Sequence, residues 1–280
     1  MTMKINEIHA VHREDFKAYD TETLRQRFLL QEIFAADSIV ANYTHYDRFM
    51  VGGVMPVNER LVLEAPDLLK APFFLHRREL GIINIGGIGT IKVDGTEYTI
   101  ANKEAMYIGN GSESVQFASK DAQNPAKFYF NSSPAHARHD TKKITLQDAN
   151  VLDAGAAETC NQRSINQLLI HSVVNTCQLQ MGMTELHPGS NWNTMPAHTH
   201  SRRMETYFYF NVPQEQAVCH FMGPPQETRH IWVANEQAVV SPPWSIHCGV
   251  GTANYTFIWG MAGENMDYTD MDFVKPNELK

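Results

Sequence analysis

The chain contains two copies of one sequence pattern, and this repeat restricts the fold more than any other feature of the 280 residues. Residues 76–83 match residues 201–208 at an offset of 125. Residues 101–105 match residues 234–238 at an offset of 133, so the second copy holds eight extra residues. We place these extra residues around 223–228, where glycine and proline are frequent. An internal repeat of this length predicts two domains of the same architecture.

Both copies are rich in short β segments that are separated by turn residues. From residue 73 onward, strand-like runs recur every ~8–12 residues. Gly86-Gly87 and Asp94-Gly95 stand between such runs, and Asp-Gly is a strong hairpin signal. Strands at this spacing indicate antiparallel sandwiches or barrels. We therefore predict a mainly β protein with two antiparallel β-barrel or jelly-roll domains and a few short helices.

The domain limits follow from a polar stretch near the middle of the chain. Residues 132–150 are mostly polar and include Ser, Pro, His and Lys, which is typical of a linker. We therefore predict an N-terminal domain over residues 1–140 and a C-terminal domain over residues 141–280. One helix is predicted from Thr21, as N-cap, to Leu30, and a short helical or irregular piece over roughly 157–170.

Composition narrows the class of partner. The hydrophobic fraction is 43% and the formal net charge is −8, which argues against nucleic acid or an anionic membrane as partner. No apolar run approaches the ~18 residues of a membrane span, and the N-terminus lacks a signal-peptide core. The cysteines show no CxxC spacing. We expect a cytoplasmic protein with free thiols.

A candidate metal site lies in the second copy. His198 and His200 are two residues apart, and Glu205 follows five residues later. On a strand, residues i and i+2 point to the same face, so both imidazoles can aim at one point. Two imidazoles and a carboxylate suit zinc, iron, manganese or nickel. The alternative is a surface histidine pair on an exposed strand.

The repeat favours the metal hypothesis over the surface pair. At the two offsets, the candidate ligands of the second copy fall on Phe73 (for His198), Leu75 (for His200), Leu80 (for Glu205) and Ser114 (for His247). A scaffold position that is apolar in one copy and His or Glu in the other is expected to point inward in both. Inward polar groups need partners, and one metal ion would satisfy all of them. His247 ranks above His220 and His230 as fourth ligand because of its repeat position and the Pro242-Pro243 turn before it.

A tandem β architecture with His-x-His-x4-Glu and a lone histidine after a proline turn resembles the cupin superfamily. Within it, the chain resembles the 5-keto-4-deoxyuronate isomerase family over nearly its whole length. The blocks that carry this resemblance are 77–81 (Arg-Arg-Glu-Leu-Gly), 83–87 (Ile-Asn-Ile-Gly-Gly), 125–129 (Pro-Ala-Lys-Phe-Tyr), 192–196 (Trp-Asn-Thr-Met-Pro), 225–230 (Pro-Gln-Glu-Thr-Arg-His) and 244–247 (Trp-Ser-Ile-His).

The resemblance implies a metal-dependent aldose–ketose isomerase of pectin and uronate degradation. It would interconvert 5-dehydro-4-deoxy-D-glucuronate (4-deoxy-L-threo-5-hexosulose uronate) and 3-deoxy-D-glycero-2,5-hexodiulosonate. It also implies a bicupin fold, a homohexamer and one Zn²⁺ per chain, with Fe²⁺, Mn²⁺ or Ni²⁺ as other possible ions. The four ligands carry over onto His198, His200, Glu205 and His247. The N-terminal cupin would lack these ligands.

The remaining site residues are predicted from reaction chemistry. Moving a proton between adjacent carbons requires an enediolate to be stabilised and a group that transfers the proton. The candidates for proton transfer are Glu185, Glu227, Tyr207 and Tyr209. A substrate carboxylate favours an arginine partner, for which we consider Arg202, Arg203 and Arg229. Trp192 and Trp244 are candidate walls of the substrate pocket.

Two other functions suit a cupin with three histidines and one glutamate. The first is an Fe(II) dioxygenase, which would consume O₂. The second is a uronate-binding cupin without turnover. The resemblance over the whole chain favours the isomerase over both.

Overall fold

The computed structural model describes residues 3–264 and 270–280, and most of its regular structure is β-strand. The strands in chain order are β1 (Lys4–Ile8), β2 (Leu29–Leu30), β3 (Ser38–Thr44), β4 (Met50–Met55), β5 (Leu61–Val62), β6 (Arg78–Asn84), β7 (Gly89–Val93), β8 (Thr96–Ile100), β9 (Ala105–Ile108), β10 (Val115–Ser119), β11 (Phe128–Pro134), β12 (Lys142–Ile144), β13 (Asn150–Ala154), β14 (Arg163–Leu169), β15 (Gln180–Leu186), β16 (Trp192–Asn193), β17 (His198–Thr199), β18 (Arg203–Phe210), β19 (Val218–Gly223), β20 (Arg229–Val233), β21 (Gln237–Ser241), β22 (Ile246–Gly251), β23 (Thr256–Gly263) and β24 (Asp272–Phe273). The helical segments are α1 (Thr21–Phe28) and short 3-10 turns at Phe16–Ala18, Asp67–Leu69, Phe74–His76, Ala157–Thr159 and Pro276–Glu278.

The chain forms two compact units. Unit 1 comprises residues 3–8, Glu32–Asn150 and Leu168–Met181. Unit 2 comprises His9–Gln31, Val151–Gln167 and the described residues of Gly182–Lys280. The domain limits of 1–140 and 141–280 stay a prediction, and the compact units differ from them in the segments 9–31, 141–150 and 168–181.

Unit 1 is built on two sheets. The larger sheet has the strand order β1-β3-β4-β11-β6-β9-β12, and the smaller has the order β5-β10-β7-β8. The pairings from β3 to β12 run antiparallel, whereas β1 pairs with β3 in parallel. Their inner faces enclose an apolar core that includes Phe74, Leu75, Leu80 and Val115. Two packed antiparallel sheets are the expected way to bury strands with one apolar face.

The strands of unit 2 repeat this arrangement. The larger sheet has the order β13-β14-β15-β23-β18-β21-β2, and the smaller has the order β16-β22-β19-β20. β17 and β24 form a further two-stranded pair. The prediction of a mainly β, tandem cupin fold is therefore confirmed. The sheets stay separate and do not close into barrels, so the jelly-roll form of the prediction applies.

The strand register recovers the repeat that the sequence indicates. Leu80 lies opposite Ile108 in the pair β6–β9, and Glu205 lies opposite Ser241 in the pair β18–β21. These two pairs differ by the offsets of 125 and 133 that the sequence shows. The eight extra residues are not all in one place. The hairpin that pairs Met222 with Arg229 is only four residues longer than the corresponding hairpin of unit 1. Their placement at 223–228 was therefore half right.

One matched position of the repeat was wrong by a residue. His247 lies opposite Met222 in β22–β19, and the corresponding pair in unit 1 is Val115 with Val93. The counterpart of His247 is therefore Val115, and the predicted Ser114 lies one residue too early. The turn before His247 is one residue shorter than its counterpart, which shifts the alignment. The correction strengthens the contrast, because Val115 is apolar and buried.

The local predictions for helices had mixed outcomes. α1 buries Leu24 and Phe28 as predicted, but Asp20 caps it by accepting a hydrogen bond from the Thr23 amide at 2.8 Å. The predicted helical or irregular piece at 157–170 was wrong in its second half, since a 3-10 turn occupies Ala157–Thr159 but β14 occupies Arg163–Leu169. Short strands also enter the predicted linker at 132–150. Within the described residues, no helix is long and apolar enough to cross a membrane.

Candidate metal centre and its cavity

Three strands of unit 2 bring the four predicted metal ligands together. His198 begins β17, Glu205 lies in β18 and His247 in β22, while His200 follows β17 in the turn that leads to β18. All four are buried, with exposures between 1% and 8%. Their ligand atoms lie within 4.8 Å of one another. The prediction that the two histidines share one strand was too simple, because β17 ends at Thr199.

The donor atoms are spaced as a metal shell requires. Glu205 Oε2 lies 2.9 Å from Nε2 of His200 and 2.9 Å from Nε2 of His247. The Nε2 atoms of His198 and His247 are 3.1 Å apart. Donors that each sit about 2.0–2.2 Å from one ion are separated by about 3 Å when they are adjacent in its shell. The described side chains therefore fit a single bound divalent cation.

The outer nitrogen atoms fix the direction of the ligand lone pairs. His200 Nδ1 lies 2.9 Å from the carbonyl oxygen of Arg203, so Nδ1–H donates there. His247 Nδ1 faces the carbonyl oxygen of Ser245 at 3.4 Å. In a neutral imidazole with its proton on Nδ1, Nε2 presents a lone pair. These lone pairs face the carboxylate of Glu205, and a cation between them converts repulsion into ligation.

The electrostatics keep the cluster in its metal-binding protonation state. Burial, followed by the neighbouring His247, lowers the pKa of His198 to about 2. Burial likewise lowers the pKa of His247. For Glu205, burial acts to raise the pKa, but the neighbouring imidazoles of His247 and His200 outweigh it and hold that pKa well below its usual range. Neutral imidazoles and an ionised carboxylate are the forms that bind metal.

A cavity of about 300 Å³ opens onto the cluster. Besides His198 and Glu205, its polar lining is supplied by Arg163, Gln167, Thr184, Thr194, Arg203 and Tyr207. Apolar side chains such as Phe257 and Trp259 complete the wall. The cavity thus combines a candidate metal centre, two guanidinium groups and a phenol in a mostly apolar enclosure, which is typical of a small-molecule site.

The two tyrosine candidates occupy different environments. Tyr207 lines the cavity, and its hydroxyl group lies 2.8 Å from Thr194 Oγ1. Burial, reinforced by the charge of Glu205, raises its pKa well above the usual value. Tyr209 is not part of the cavity lining, and its hydroxyl group lies 2.7 Å from Nδ1 of His220. Of the two, only Tyr207 faces the space beside the metal cluster.

The two carboxylate candidates lie away from the cavity. Thr184 lines the cavity, so its strand neighbour Glu185 points to the opposite face of β15, where Asn166 donates to it at 3.3 Å. Glu227 lies in the turn before β20 and forms an ion pair with Arg229 at 2.6 Å. The geometry therefore favours neither carboxylate as the group that transfers the proton.

Of the three arginine candidates, one lines the cavity and two lie outside it. Arg203 is buried, lines the cavity and donates from Nε and Nη2 to the carboxylate of Asp270 at 3.0 and 2.8 Å. Arg202 is exposed, 3.5 Å from Glu264. Arg229 pairs with Glu227 and also donates to the carbonyl oxygen of Lys17. Only Arg203 reaches the cavity.

Neither tryptophan candidate lines the cavity beside the metal cluster. Trp192 stacks on Phe221 with ring centroids 5.9 Å apart. Trp244 packs edge-on against Phe16 and Phe28 at 5.3 and 6.4 Å. The predicted role of both as pocket walls is not supported by this geometry, and both act as packing residues in unit 2.

Arg163 is the cavity residue that sequence reasoning missed. It begins β14 and is half-buried, and burial lowers its pKa. Within residues 3–264 and 270–280 its hydrogen bond goes to the carbonyl oxygen of Asn161 at 2.8 Å, with no carboxylate in contact. The segment had been predicted as helical or irregular, so nothing assigned this side chain an inward direction. Alternation over residues 163–169 was the available signal.

The fold and the site together define a class: a bicupin with one buried three-histidine, one-glutamate cluster among its described residues. The model of the KduI/IolB family matches residues 39–276, so the chain belongs to the KduI/IolB family. A Formosa agariphila protein named 4-deoxy-L-threo-5-hexosulose-uronate ketol-isomerase is 56% identical over 280 residues and covers 100% of both chains. A Bacteroides fragilis protein of the same name is 57% identical over 272 residues, which is 97% of each chain.

Solved structures show the same fold at low sequence identity. An IolB-like protein from Salmonella typhimurium LT2 superposes with a TM-score of 0.72 and 15% identity, over 88% of this chain and 96% of that one. Bacillus subtilis oxalate decarboxylase, described with Mn(II) centres, superposes with a TM-score of 0.55 and 7% identity over 81% and 71%. The predicted enzyme class, an aldose–ketose isomerase and hence an intramolecular oxidoreductase, is confirmed by the named relatives.

Proposed function

We propose that this chain is a metal-dependent isomerase that interconverts 5-dehydro-4-deoxy-D-glucuronate and 3-deoxy-D-glycero-2,5-hexodiulosonate during uronate degradation. The curated relatives carry the name of this ketol-isomerase and match the chain from end to end. The observation that supports the proposal most is the buried cluster of His198, His200, Glu205 and His247 at the edge of a cavity that also presents arginine and tyrosine. An open-chain keto-uronate needs this combination of groups.

The cluster would hold one divalent cation. Bound there, the ion supplies Lewis-acid stabilisation for the oxygen atoms of an enediolate, which requires no redox change, so Zn²⁺ is adequate. His200 and His247 are oriented for this role by their Nδ1–H groups, which face carbonyl oxygens. The strands around the cluster keep the donors buried, so the cation would be held away from bulk water.

Arg163 is the side chain that we assign to the substrate carboxylate. Its guanidinium group faces the cavity and is in contact with no described carboxylate. The guanidinium group of Arg203 is already paired with Asp270, so its charge is largely compensated. A bidentate arginine–carboxylate pair fixes orientation as well as charge. Arg163 would therefore place the chain of the substrate with its reacting carbons toward the metal cluster.

Tyr207 is the group that we assign to proton transfer at a substrate oxygen. Its raised pKa keeps the phenol protonated at neutral pH, so it acts as a donor rather than as a base. Thr194, at 2.8 Å, holds the hydroxyl group in place. A phenol so positioned can donate its proton to one oxygen of the enediolate and recover it from the neighbouring oxygen, which assists a ketose–aldose exchange.

The hexameric assembly, the identity of the ion as zinc, the place in pectin breakdown and the cytoplasmic location all stay predictions. The first three come from the family resemblance, and the location comes from the composition and the cysteine pattern. Metal analysis of the purified protein and its mass in solution test the first two directly.

The decisive experiment follows the reaction without oxygen. Metal-loaded protein is incubated anaerobically in D₂O with 5-dehydro-4-deoxyuronate, and product and deuterium incorporation are followed by NMR. We expect the 2,5-diketo acid to form with deuterium on carbon, because an enediolate exchanges its proton with solvent. His198→Ala should remove both the bound metal and the activity.

His230→Ala is the matched control, because His230 is an exposed histidine of the same unit outside the cluster. It should keep full activity and full metal content. Conversion that requires O₂ would indicate a dioxygenase, and tight uronate binding without conversion would indicate a binding protein. Either result would overturn the proposed isomerase.

A further inference from the structure

Unit 1 contains a cavity at the position where unit 2 has its candidate active site. Arg78 begins β6 as Arg203 begins β18, at the repeat offset of 125, and each arginine lines the cavity of its own unit. The cavity of unit 1 measures about 410 Å³. Its wall has no metal-ligand cluster, and the counterparts of the ligands in unit 2 are apolar. The cavity therefore calls for a function other than metal chemistry.

Arg78 is a buried arginine whose hydrogen bonds all go to neutral groups. Its side chain is 6% exposed, and it donates to Ser132 Oγ and to the carbonyl oxygens of Ser132 and Arg48 at 2.8–3.1 Å. These acceptors are all neutral. Within residues 3–264 and 270–280, no carboxylate contacts the guanidinium group, and Nη1 donates no hydrogen bond. Arg203, its counterpart in unit 2, has Asp270 as a bidentate partner.

The surroundings of Arg78 favour the binding of an anion. Arg48 and Arg77 line the same cavity, which has no acidic residue in its lining. Burial, and then the neighbouring Arg48, lower the pKa of Arg78 to about 10, while Tyr43 and the carboxylate of the next residue, Glu79, act in the opposite direction, so Arg78 stays charged at neutral pH. The ring of Tyr43 lies 5.9 Å from its guanidinium carbon, which helps to hold the group in place. A buried cation without a paired charge is costly, and a bound anion relieves that cost.

We propose that unit 1 binds a small organic carboxylate in this cavity, with its carboxylate on Nη1 of Arg78 and within reach of Arg48 and Arg77. The remaining wall is apolar and includes Leu69 and Phe74, which suits the carbon chain of an acid better than it suits a bare inorganic anion. The volume is sufficient for a hexuronate. This site is separate from the proposed catalytic site, so its test uses binding as the readout.

Isothermal titration of the metal-loaded protein with D-galacturonate, and separately with inorganic phosphate, tests the site. The test variant is the double substitution Arg48→Gln with Arg77→Gln, since both side chains are exposed and neither is part of the core. We expect wild-type protein to bind galacturonate in this site more tightly than phosphate. The double variant should bind it about tenfold more weakly, or worse, with kcat/KM for the isomerase reaction unchanged.

Arg60→Gln is the control, because it removes an exposed arginine of unit 1 that pairs with Glu97 outside the cavity. It should leave galacturonate binding unchanged. Arg78→Lys keeps the buried charge but removes the planar fork, so it should also weaken binding while the protein folds. Equal galacturonate binding by wild type and the double variant would overturn the proposal. So would a site that prefers phosphate, or wild-type protein that binds neither anion there.

Discussion

The two units have the same strand arrangement, but matching interior positions are apolar in unit 1 and polar in unit 2. In unit 1, Leu75, Leu80 and Val115 belong to one apolar core. At the corresponding positions unit 2 has His200, Glu205 and His247, and these are buried to the same degree. Strand order and the register around β6 and β18 are the same in both units. The sandwich therefore does not depend on what fills this part of its interior.

The polar interior is possible because its side chains contact one another and the backbone, although Nδ1 of His198 has no partner among the described residues. Glu205 contacts two imidazoles, and His200 donates to a backbone carbonyl group. An apolar core needs no such arrangement, because its side chains only have to fill space. The interior of unit 1 is therefore determined by packing, whereas the centre of unit 2 is determined by complementary polar contacts and, as we propose, by a bound cation. Each unit should therefore fail in its own way when residues are exchanged.

The largest effect is expected when the carboxylate of unit 2 is transferred to unit 1. Leu80→Glu places an acid among Phe74, Leu75 and Val115, and none of these three neighbours can donate a hydrogen bond or a positive charge to it. We expect the variant to lose about 5 kcal/mol of stability or to fail to fold. Urea unfolding measures the loss. Leu80→Met, which keeps the volume, should cost less than about 1.5 kcal/mol.

The reverse exchange should abolish activity and leave the fold in place. Glu205→Leu gives unit 2 the residue that unit 1 has at this position, and removes one of four metal ligands. We expect kcat/KM to fall by about 10³-fold or more, together with the metal content. Glu185→Gln, on the same unit but pointing away from the cavity, is the control and should stay close to wild type. Full activity with Glu205→Leu would contradict the assigned metal site.

Two tyrosines on one strand of unit 2 give a finer test. Tyr207→Phe keeps the ring contacts but removes the hydroxyl group from the cavity, so we expect kcat to fall by about 10²-fold with the metal retained. Tyr209→Phe removes a hydroxyl group that contacts His220 and lies outside the cavity. It should change kcat by less than about threefold and cost about 1–2 kcal/mol of stability. A larger loss of kcat for Tyr209→Phe than for Tyr207→Phe would contradict the assignment of proton transfer to Tyr207.

How far the sequence alone predicts this molecule depends on whether the determining pattern is local. The strands, the duplication and the metal cluster are predictable, because alternation, repeat offsets and the spacing of His198, His200 and Glu205 are visible in the chain. Comparing the two copies also gave His247, which lies far from the others in sequence. That comparison worked because a change from apolar to polar at an inward position needs an explanation.

The residues around the metal cluster were harder to predict. They were chosen because they are near the ligands in sequence, but the residues that line the cavity are those near the ligands in space. Arg202 and Arg229 flank site segments but point away, whereas Arg163 comes from a strand whose segment had been predicted as helical or irregular. Asp270, the partner of Arg203, is 67 residues away in the chain. Which cavity-facing residue meets the substrate depends on how β14, β18 and β23 are aligned across the sheet, and local spacing does not contain that alignment.

The smallest predicted effect concerns the response of the two interiors to acid. Among the described residues, the histidines that are buried in the core all belong to unit 2, and His220 is fully buried beside Tyr209. Burial lowers the pKa of His220 to about 3, with His247 lowering it further and Glu205 acting in the opposite direction. In the unfolded chain His220 takes up a proton near pH 6.5, whereas in the folded chain it stays neutral at that pH. The free energy of unfolding should therefore fall as the pH falls below 6.5.

His220→Gln isolates this contribution. At pH 5 one such histidine destabilises the folded state by about 2 kcal/mol relative to neutral pH. In metal-free protein, the loss of stability between pH 7.5 and pH 5 should thus be about 2 kcal/mol smaller for His220→Gln than for wild type. Urea unfolding at both pH values measures it, with His230→Gln as the exposed-histidine control. Identical pH profiles for His220→Gln and wild type would mean that His220 takes up a proton in the folded state, and that the core of unit 2 is more accessible to water than its burial indicates.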